Sequence, residues 1–431
     1  MRDGATGAGR RADLLWGAAL FAAALAAFLV TKAPGMSDAR YALLVSEALL
    51  ERGSIRLDPW FDPGTEAEPA RDLPYQVNLR GGHAYYAFPQ GTSILSVPVV
   101  AAARLFGASP VAAEGAYDPG AEARLQHSIA SALMAAVVLL VFLSARLTAP
   151  RPAAALVAIA AGFATPIWTT ASLAMWSHTF LLVIYAVAAL LLLRWELCGR
   201  RAHPVLLATL LAWAFLVRPT AAVGAIAIAG YVAWRRPRDL VTLGLAGLFW
   251  FALFVAASHA AERSWLLPEY RPSRLGSATP FEGLAGALLS PGRGLLLYCP
   301  VAAAVPALLV RFWRDVPGKP LVAALGAAVV LHVITVAAFP HWWGGHSFGP
   351  RLLVDTVPFL AALAALGLAG ARGSRAWIAV AAVLLASSVA IQAAGALSIA
   401  PHLWNILPAD VDATPARLWD LADFPPLRAL R

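Results

Sequence analysis

Residues 203–234 read HPVLLATLLAWAFLVRPTAAVGAIAIAGYVAW, one apolar run broken only at Arg218-Pro219. If this run crossed a bilayer once, the arginines before it (Arg194, Arg200, Arg201) and after it (Arg235, Arg236, Arg238) would lie on opposite faces. Two short crossings keep both clusters inside, as the bias of basic residues toward the cytoplasmic side requires. At roughly 1.5 Å per residue, about 15 residues reach only about 22 Å. Arg218 is therefore expected below the outer surface, in a polar cavity.

The rest of the chain agrees with a membrane setting. Of its 431 residues 60% are hydrophobic and 13% charged, with mean hydropathy +0.69. Ordinary soluble domains are about 45–50% apolar and about 25% charged, so a soluble enzyme, a DNA-binding domain and a disordered chain are excluded. Apolar runs long enough for a bilayer of about 30 Å recur, and eleven all-round apolar helices are expected at about 14–31, 125–147, 153–168, 178–194, 203–217, 219–234, 240–258, 295–310, 320–338, 352–369 and 376–399. Arg2, Arg10 and Arg11 place the N-terminus in the cytoplasm. Arg10-Arg11 before an Ala/Leu core also fits a signal peptide, but no small-x-small site follows Val30, and a retained anchor is expected. With this threading the inner segments hold 16 bases and five acids (Asp3, Asp13, Glu196, Asp239, Asp315), the outer ones 17 and 19. The net charge of +9 thus reports orientation rather than nucleic acid. Cys198 and Cys299 fall at opposite faces and are not expected to pair.

The outer segments are elaborated and the inner ones are connectors, so function is expected at the outer face. The first outer loop, 32–124, opens Gly35-Met36-Ser37-Asp38-Ala39-Arg40-Tyr41. Tyr41, Leu44, Val45, Ala48 and Leu49 then fall on one helical face, with Arg40, Glu47 and Glu51 on the other, as in a helix lying on a membrane surface and stopped by Gly53. Asp38 reads either as a first-turn acid favoured by the helix dipole or as a carboxylate available as a general base. Tyr75–Val77 and His83–Phe88 flank Arg80-Gly81-Gly82 as a short hairpin. Pro89-Gln90-Gly91 leads into a second surface-lying helix, 92–106. Tyr85, Tyr86 and Phe88 suit an interfacial belt or sugar stacking. His178, at the mouth of a span, is either a functional histidine or a hydrogen-bonded structural one.

Two further outer segments stand out. Leu289-Ser290-Pro291-Gly292-Arg293-Gly294 fixes an arginine at a helix entrance. His341-Trp342-Trp343-Gly344-Gly345-His346-Ser347-Phe348-Gly349-Pro350-Arg351 combines glycines, which allow close backbone approach, with an arginine suited to bidentate phosphate recognition. Arg218, Arg293 and Arg351 all leave the outer ends of spans; converging, they would form an anion site, while each alone also suits headgroup snorkelling. Zinc on His341 and His346 is not expected, because i, i+5 spacing in a glycine-rich loop is not a helical ligand pair and no nearby acid precedes it. Asp355 is expected to pair with Arg351 at i, i+4 on a helix, and His332 to be packed and hydrogen-bonded. The tail, 400–431, lies outside and carries Trp404 and Trp419.

An anchor span, an acid opening a surface helix (Asp38 with Tyr41), and an aromatic–Pro–Gly segment entering a second surface helix that ends Leu105-Phe106-Gly107 form an order that resembles the GT-C glycosyltransferases. Among them it is similar to the protein O-mannosyltransferase and lipid A aminoarabinose transferase relatives. The stretch from His341 to Arg351 is similar to one in bacterial membrane proteins of that group. The resemblance covers roughly residues 14–200 in element order and 290–360 in motif style. It implies a single all-α polytopic GT-C-like domain over 1–431, in a bacterial inner membrane, with a periplasmic active site. It also implies inverting transfer of a sugar from a polyprenyl-phosphate donor to a periplasmic glycan, lipid or protein acceptor. In the family the first-loop aspartate acts as base on the acceptor hydroxyl, a role that falls on Asp38. The expected substrate-binding residues are Tyr41, Tyr85, His178, Arg218, Arg293, His341, Trp343, His346 and Arg351. Many relatives hold a second acid in the link before the fourth span, where this chain has Trp176-Ser177-His178; acceptor type and metal use stay open. No cofactor is expected, and a divalent metal is not favoured because no dense acidic cluster appears.

Such a transfer passes through an oxocarbenium-like state in which the acceptor loses a proton and the phosphate gains charge. One carboxylate and fixed arginines are sufficient parts for that. The rivals are a transporter or flippase of lipid-linked sugars and a polysaccharide ligase or polymerase. Coupled carriers place ionisable groups within their spans, and here mid-membrane Asp or Glu is lacking, with His332 and Gln392 the notable polar groups.

Overall fold

The computed structural model describes residues 7–33, 35, 37–64, 72–262, 264–371 and 375–430; Arg2, Asp3, Met36 and Arg372 lie outside them. The helices in chain order are α1 (Gly7–Leu29), α2 (Ala42–Arg52), α3 (Gly91–Leu105), α4 (Pro119–Ala145), α5 (Arg151–Phe163), α6 (Ser177–Cys198), α7 (Pro204–Val217), α8 (Ala222–Arg235), α9 (Pro237–Glu262), α10 (Pro280–Leu289), α11 (Leu295–Tyr298), α12 (Val301–Arg311), α13 (Lys319–Ala337), α14 (Val357–Gly370), α15 (Arg375–Leu397) and α16 (Ala400–Leu403). This is a multi-pass membrane protein. Among the described residues seven helices are long and apolar enough to cross a bilayer, within α1, α4, α6, α9, α13, Arg351–Gly370 and α15. The expected spans at 153–168, 203–217, 219–234 and 295–310 coincide with α5, α7, α8 and α12, which have 13, 14, 14 and 11 residues. A full crossing takes about 20, so the count of eleven is not reached by length.

The decisive run at 203–234 does form two helices. Arg218, preceding a proline, is extended (φ −154°, ψ 115°), because the proline ring disfavours helical backbone at the residue before it. The chain then turns through a short 3-10 segment, Pro219–Ala221, into α8. The return is documented by ion pairs: Arg201, ahead of α7, holds Asp239, at the start of α9, at 2.7 Å, and Glu196 of α6 meets Arg235 of α8 at 3.2 Å. Asp13 likewise reaches Arg146 and Arg151, at 2.9 and 2.7 Å. The connectors read as one face are thus held together by their own charges.

Two packed cores form the body. One gathers Leu181, Tyr185, Leu211, Tyr231, Leu325 and Leu363 from α6, α7, α8, α13 and α14. The other gathers Phe28, Met134, Val138, Ala158 and Leu182 around α4. Apolar side chains of α9, including Leu245, Leu248, Phe249 and Phe251, remain exposed, as a lipid-facing helix requires.

In the first loop α2 packs on α3, joined by a hydrogen bond from Ser46 Oγ to the Ser93 carbonyl (2.7 Å). The expected hairpin is present: β1 (Val77–Arg80) pairs antiparallel with β2 (His83–Tyr86). Gly81 and Gly82 turn it at φ +53° and +74°, the left-handed pair that matches strand twist.

Candidate active site

The site is assembled by one face of α4. Glu122 accepts the backbone N–H groups of Tyr41 and Leu43, each at 3.0 Å, and the Tyr117 hydroxyl at 2.6 Å. One helical turn on, Gln126 donates to the Ala39 carbonyl (2.7 Å) and accepts from the Met175 amide (3.0 Å). These two side chains tie the segment carrying Asp38 to the segment carrying Trp176, Ser177 and His178. Tyr41 sits at φ 73°, the single positive-φ non-glycine residue among those described. That conformation costs about 1–2 kcal/mol, and hydrogen bonds to a carboxylate, worth about 1.5–3 kcal/mol each, offset it.

Above this scaffold lies a cavity of about 740 Å³ whose walls include Asp38, Tyr75, Tyr86, His178, Arg218, Arg271, His341 and Arg351. Asp38 Oδ2 accepts from Arg351 Nη1 at 3.0 Å, and its Oδ1 from the Tyr75 hydroxyl at 3.0 Å. The Tyr86 hydroxyl donates to the Asp38 carbonyl (2.5 Å). Burial and the nearby Asp38 charge hold both tyrosine hydroxyls above their usual range, so both remain protonated donors. Arg351 also donates to the Gly344 carbonyl (2.5 Å) and lies 4.7 Å from the centre of the Trp176 ring, a cation–π contact.

A second acid meets the cavity from behind. Asp355 is buried, with Oδ1 2.6 Å from His178 Nδ1 and Oδ2 2.7 Å from Arg218 Nε and 3.6 Å from His332 Nε2. Arg218 Nη1 also donates to Ser177 Oγ at 2.8 Å. This corrects the expected Arg351–Asp355 pair. Residues 351–356 form a 3-10 helix, which has three residues per turn. Residue i+4 is therefore rotated off the face of residue i, and the two side chains take different partners.

Five of the ten expected site residues line the cavity: Asp38, His178, Arg218, His341 and Arg351. The others are placed elsewhere. Tyr41 is buried against Phe61 and Tyr117, with ring centres 4.9 and 5.1 Å away. Tyr85 points away and donates to the Ala261 carbonyl (2.8 Å), because adjacent strand residues face opposite sides; Tyr86 takes the cavity side. Arg293 is buried beneath the 341–351 loop, bonded to the carbonyls of Trp343 (3.1 Å) and Gly345 (2.9 Å) and to Asn405 Oδ1 (2.5 Å). Burial pushes its pKa down to about 10, so it stays cationic at neutral pH and serves as an internal strut. The three arginines therefore do not all converge; Arg271 joins Arg218 and Arg351 instead. Trp343 donates to Asp412 (2.6 Å). His346 lies 3.0 Å from Asp410 and 3.7 Å from Asp412, a His–Asp–Asp group of the type that can hold a divalent cation. It does not line the cavity. The acids that sequence spacing did not supply to His346 come from the tail.

No protein-family model and no curated protein matches the chain. Solved structures do. The chain superposes on ArnT from Cupriavidus metallidurans bound to undecaprenyl phosphate with TM-score 0.57 at 15% identity, over 97% of this chain and 74% of that one. The apo state of the same protein gives 0.53 at 16%, over 91% and 69%. An oligosaccharyltransferase from Archaeoglobus fulgidus gives 0.51 at 14%, over 95% of this chain and 60% of that one. Both neighbours are GT-C glycosyltransferases.

The chain has the GT-C fold. On that GT-C frame the acid of the first loop faces the cavity. The start of α6 supplies an aromatic face, a hydroxyl and an imidazole in the successive residues Trp176, Ser177 and His178. Tyr75 and Arg271 line the cavity and Asp355 stands behind it, and sequence reasoning gave none of the three a site role; Tyr86, read as a belt or sugar-stacking residue, lines it too. Strand alternation was the available signal for Tyr86; Arg271 carries none.

Proposed function

We propose that this protein is a membrane glycosyltransferase that moves a sugar, with inversion, from a polyprenyl-phosphate donor to a hydroxyl acceptor on the extracytoplasmic side. The observation that carries the reading is the meeting of Asp38 and Arg351 at 3.0 Å on the wall of one cavity. A carboxylate and a guanidinium side by side are what the reaction uses: the acceptor hydroxyl gives its proton to Asp38, its oxygen attacks the anomeric carbon, and the bond from that carbon to the phosphate oxygen breaks. The phosphate leaves with one more negative charge. Arg218, Arg271 and Arg351 are the cations to meet it. Arg351 neutralises Asp38; a bound phosphodiester draws the guanidinium toward itself and frees the carboxylate to accept. His341 lines the same cavity.

A second cavity, of about 400 Å³, runs between α7, α8 and α9, lined by Leu211, Leu216, Ile226, Trp250 and Phe251. It shares Phe215 and Ala222 with the first. This apolar groove suits the polyprenyl tail, and its continuity with a charged chamber suits an amphipathic lipid-linked donor, whose carrier part is of the kind of the undecaprenyl phosphate bound by ArnT.

Transport of a lipid-linked sugar is the alternative. It is favoured by one observation, the buried Asp355 beside His178, Arg218 and His332, since ionisable groups in membrane segments often mark pathways. The discriminating experiment incubates the purified protein with a panel of radiolabelled polyprenyl-phosphate sugars and membrane acceptors. Transfer predicts that label moves from lipid to acceptor and that Asp38→Asn abolishes the movement. Translocation of label with no change of carrier would reject the transferase reading.

A further inference from the structure

The buried group behind the cavity has a definite charge arrangement. Asp355 is 1% exposed and already has a full counter-ion in Arg218, 2.7 Å away. A protonated His178 or His332 would add a positive charge with no partner in a low-dielectric setting, which is costly. A carboxylate only accepts hydrogen bonds, so at 2.6 Å from Asp355 Oδ1 it is His178 Nδ1 that carries the imidazole proton. The lone pair is then on Nε2. That atom makes no hydrogen bond among the described residues, while His178 lines the cavity.

Its surroundings determine what it can bind. Just before it in sequence, Ser177 accepts from Arg218 and Trp176 lies under Arg351. In the transferase reading, on which this inference rests, those two arginines take the donor phosphate. An acceptor nitrogen cannot bond a phosphate oxygen, which is also an acceptor; it needs a group with a proton to give. The proton-bearing group closest to a glycosyl phosphate is the hydroxyl on the ring carbon next to the anomeric centre. We propose that His178 Nε2 accepts that hydroxyl of the donor sugar, with Asp355 as the positioning residue that fixes the tautomer. Hydrogen bonds at this hydroxyl strengthen as the oxocarbenium-like state develops, so the contact acts on turnover more than on binding. The donor class implied is a sugar with a free hydroxyl at that carbon.

The test compares the polyprenyl-phosphate hexose that transfers best in the donor panel with its 2-deoxy counterpart. Wild type should turn over the deoxy donor about tenfold more slowly or worse, mostly in kcat. His178→Ala should process both donors at nearly equal rates, and His178→Gln, which retains an acceptor oxygen, should restore part of the preference. A merely structural histidine would leave the deoxy penalty unchanged in His178→Ala, and that result overturns the proposal. Independently of activity, 15N spectra of histidine-labelled protein, assigned with His178→Ala, should show an unprotonated Nε2; a protonated Nε2 overturns the proposal too. If no donor in the panel transfers, the transferase reading fails, whereas the tautomer is still read directly.

Discussion

Two acid–arginine pairs serve the same cavity, one in its wall and one reaching behind it to the buried Asp355, and they differ in exposure. Asp38 and Arg351 meet at 3.0 Å with side chains 28% and 10% exposed; Asp355 and Arg218 meet at 2.7 Å with side chains 0% and 14% exposed. The first acid is open to solvent and to whatever fills the cavity, so its arginine can exchange a carboxylate for a phosphate. The second is enclosed by His178, Arg218 and His332, and separating it would strand a buried charge. The same chemical pair therefore serves as a changeable contact in one place and as a fixed frame in the other. Exposure decides which.

Asp38→Asn would break this comparison most sharply. Loss of a general base costs about 10²–10⁴-fold in rate, so transfer should all but vanish, while detergent-extracted yield and thermal unfolding stay close to wild type. Asp355→Ala should differ by losing stability as well as turnover. Removing one member of a buried pair costs about 3–5 kcal/mol of stability, read as a lowered unfolding midpoint and poor recovery. A destabilised Asp38→Asn and a fully stable Asp355→Ala would together reverse which pair is the changeable contact and which the fixed frame.

Arg351→Ala lies between them. It removes charge-assisted hydrogen bonds worth about 1.5–3 kcal/mol, and donor KM should rise roughly ten- to a hundredfold. Donor KM equal to wild type would take Arg351 out of phosphate binding. Arg293→Ala is the control from inside the 341–351 loop: its guanidinium is engaged by Trp343, Gly345 and Asn405, so the variant should lose stability rather than show a selective rise in donor KM.

What could be read from the chain alone follows from where each residue stands. Arg218 was legible because proline at 219 breaks an apolar run that is too long for one crossing, and charge bias then folds it back. Asp38 and Arg351 were legible because each stands where a loop meets a span. Their contact was not, since 313 residues separate them and no local period encodes it. Tyr41 shared the apolar face of α2, yet periodicity alone could not tell a membrane-facing ring from one packed against Phe61. The 3-10 turn at 351–356 was invisible to a helical i, i+4 rule and led to the wrong partner for Asp355. Asp410 and Asp412 reach His346 only because the tail folds back, with Trp404, Val411 and Leu418 packed on Trp342 and Trp343.

The smallest effect should come from Tyr75→Phe, and it sharpens the contrast at its most exposed point. Tyr75 is 62% exposed, and its hydroxyl gives Asp38 one of the hydrogen bonds that hold the carboxylate toward the cavity. Asp38 keeps Arg351 on its other oxygen, so the acid stays in place and is only less restrained. One hydrogen bond of about 1 kcal/mol corresponds to a loss of roughly fivefold in kcat/KM, with stability unchanged. Among the described residues Asp355 has no equivalent exposed partner whose removal is so mild. A Tyr75→Phe enzyme as impaired as Asp38→Asn would mean that the hydroxyl itself handles the proton, and the open pair would then be a tyrosine–aspartate relay rather than a lone base.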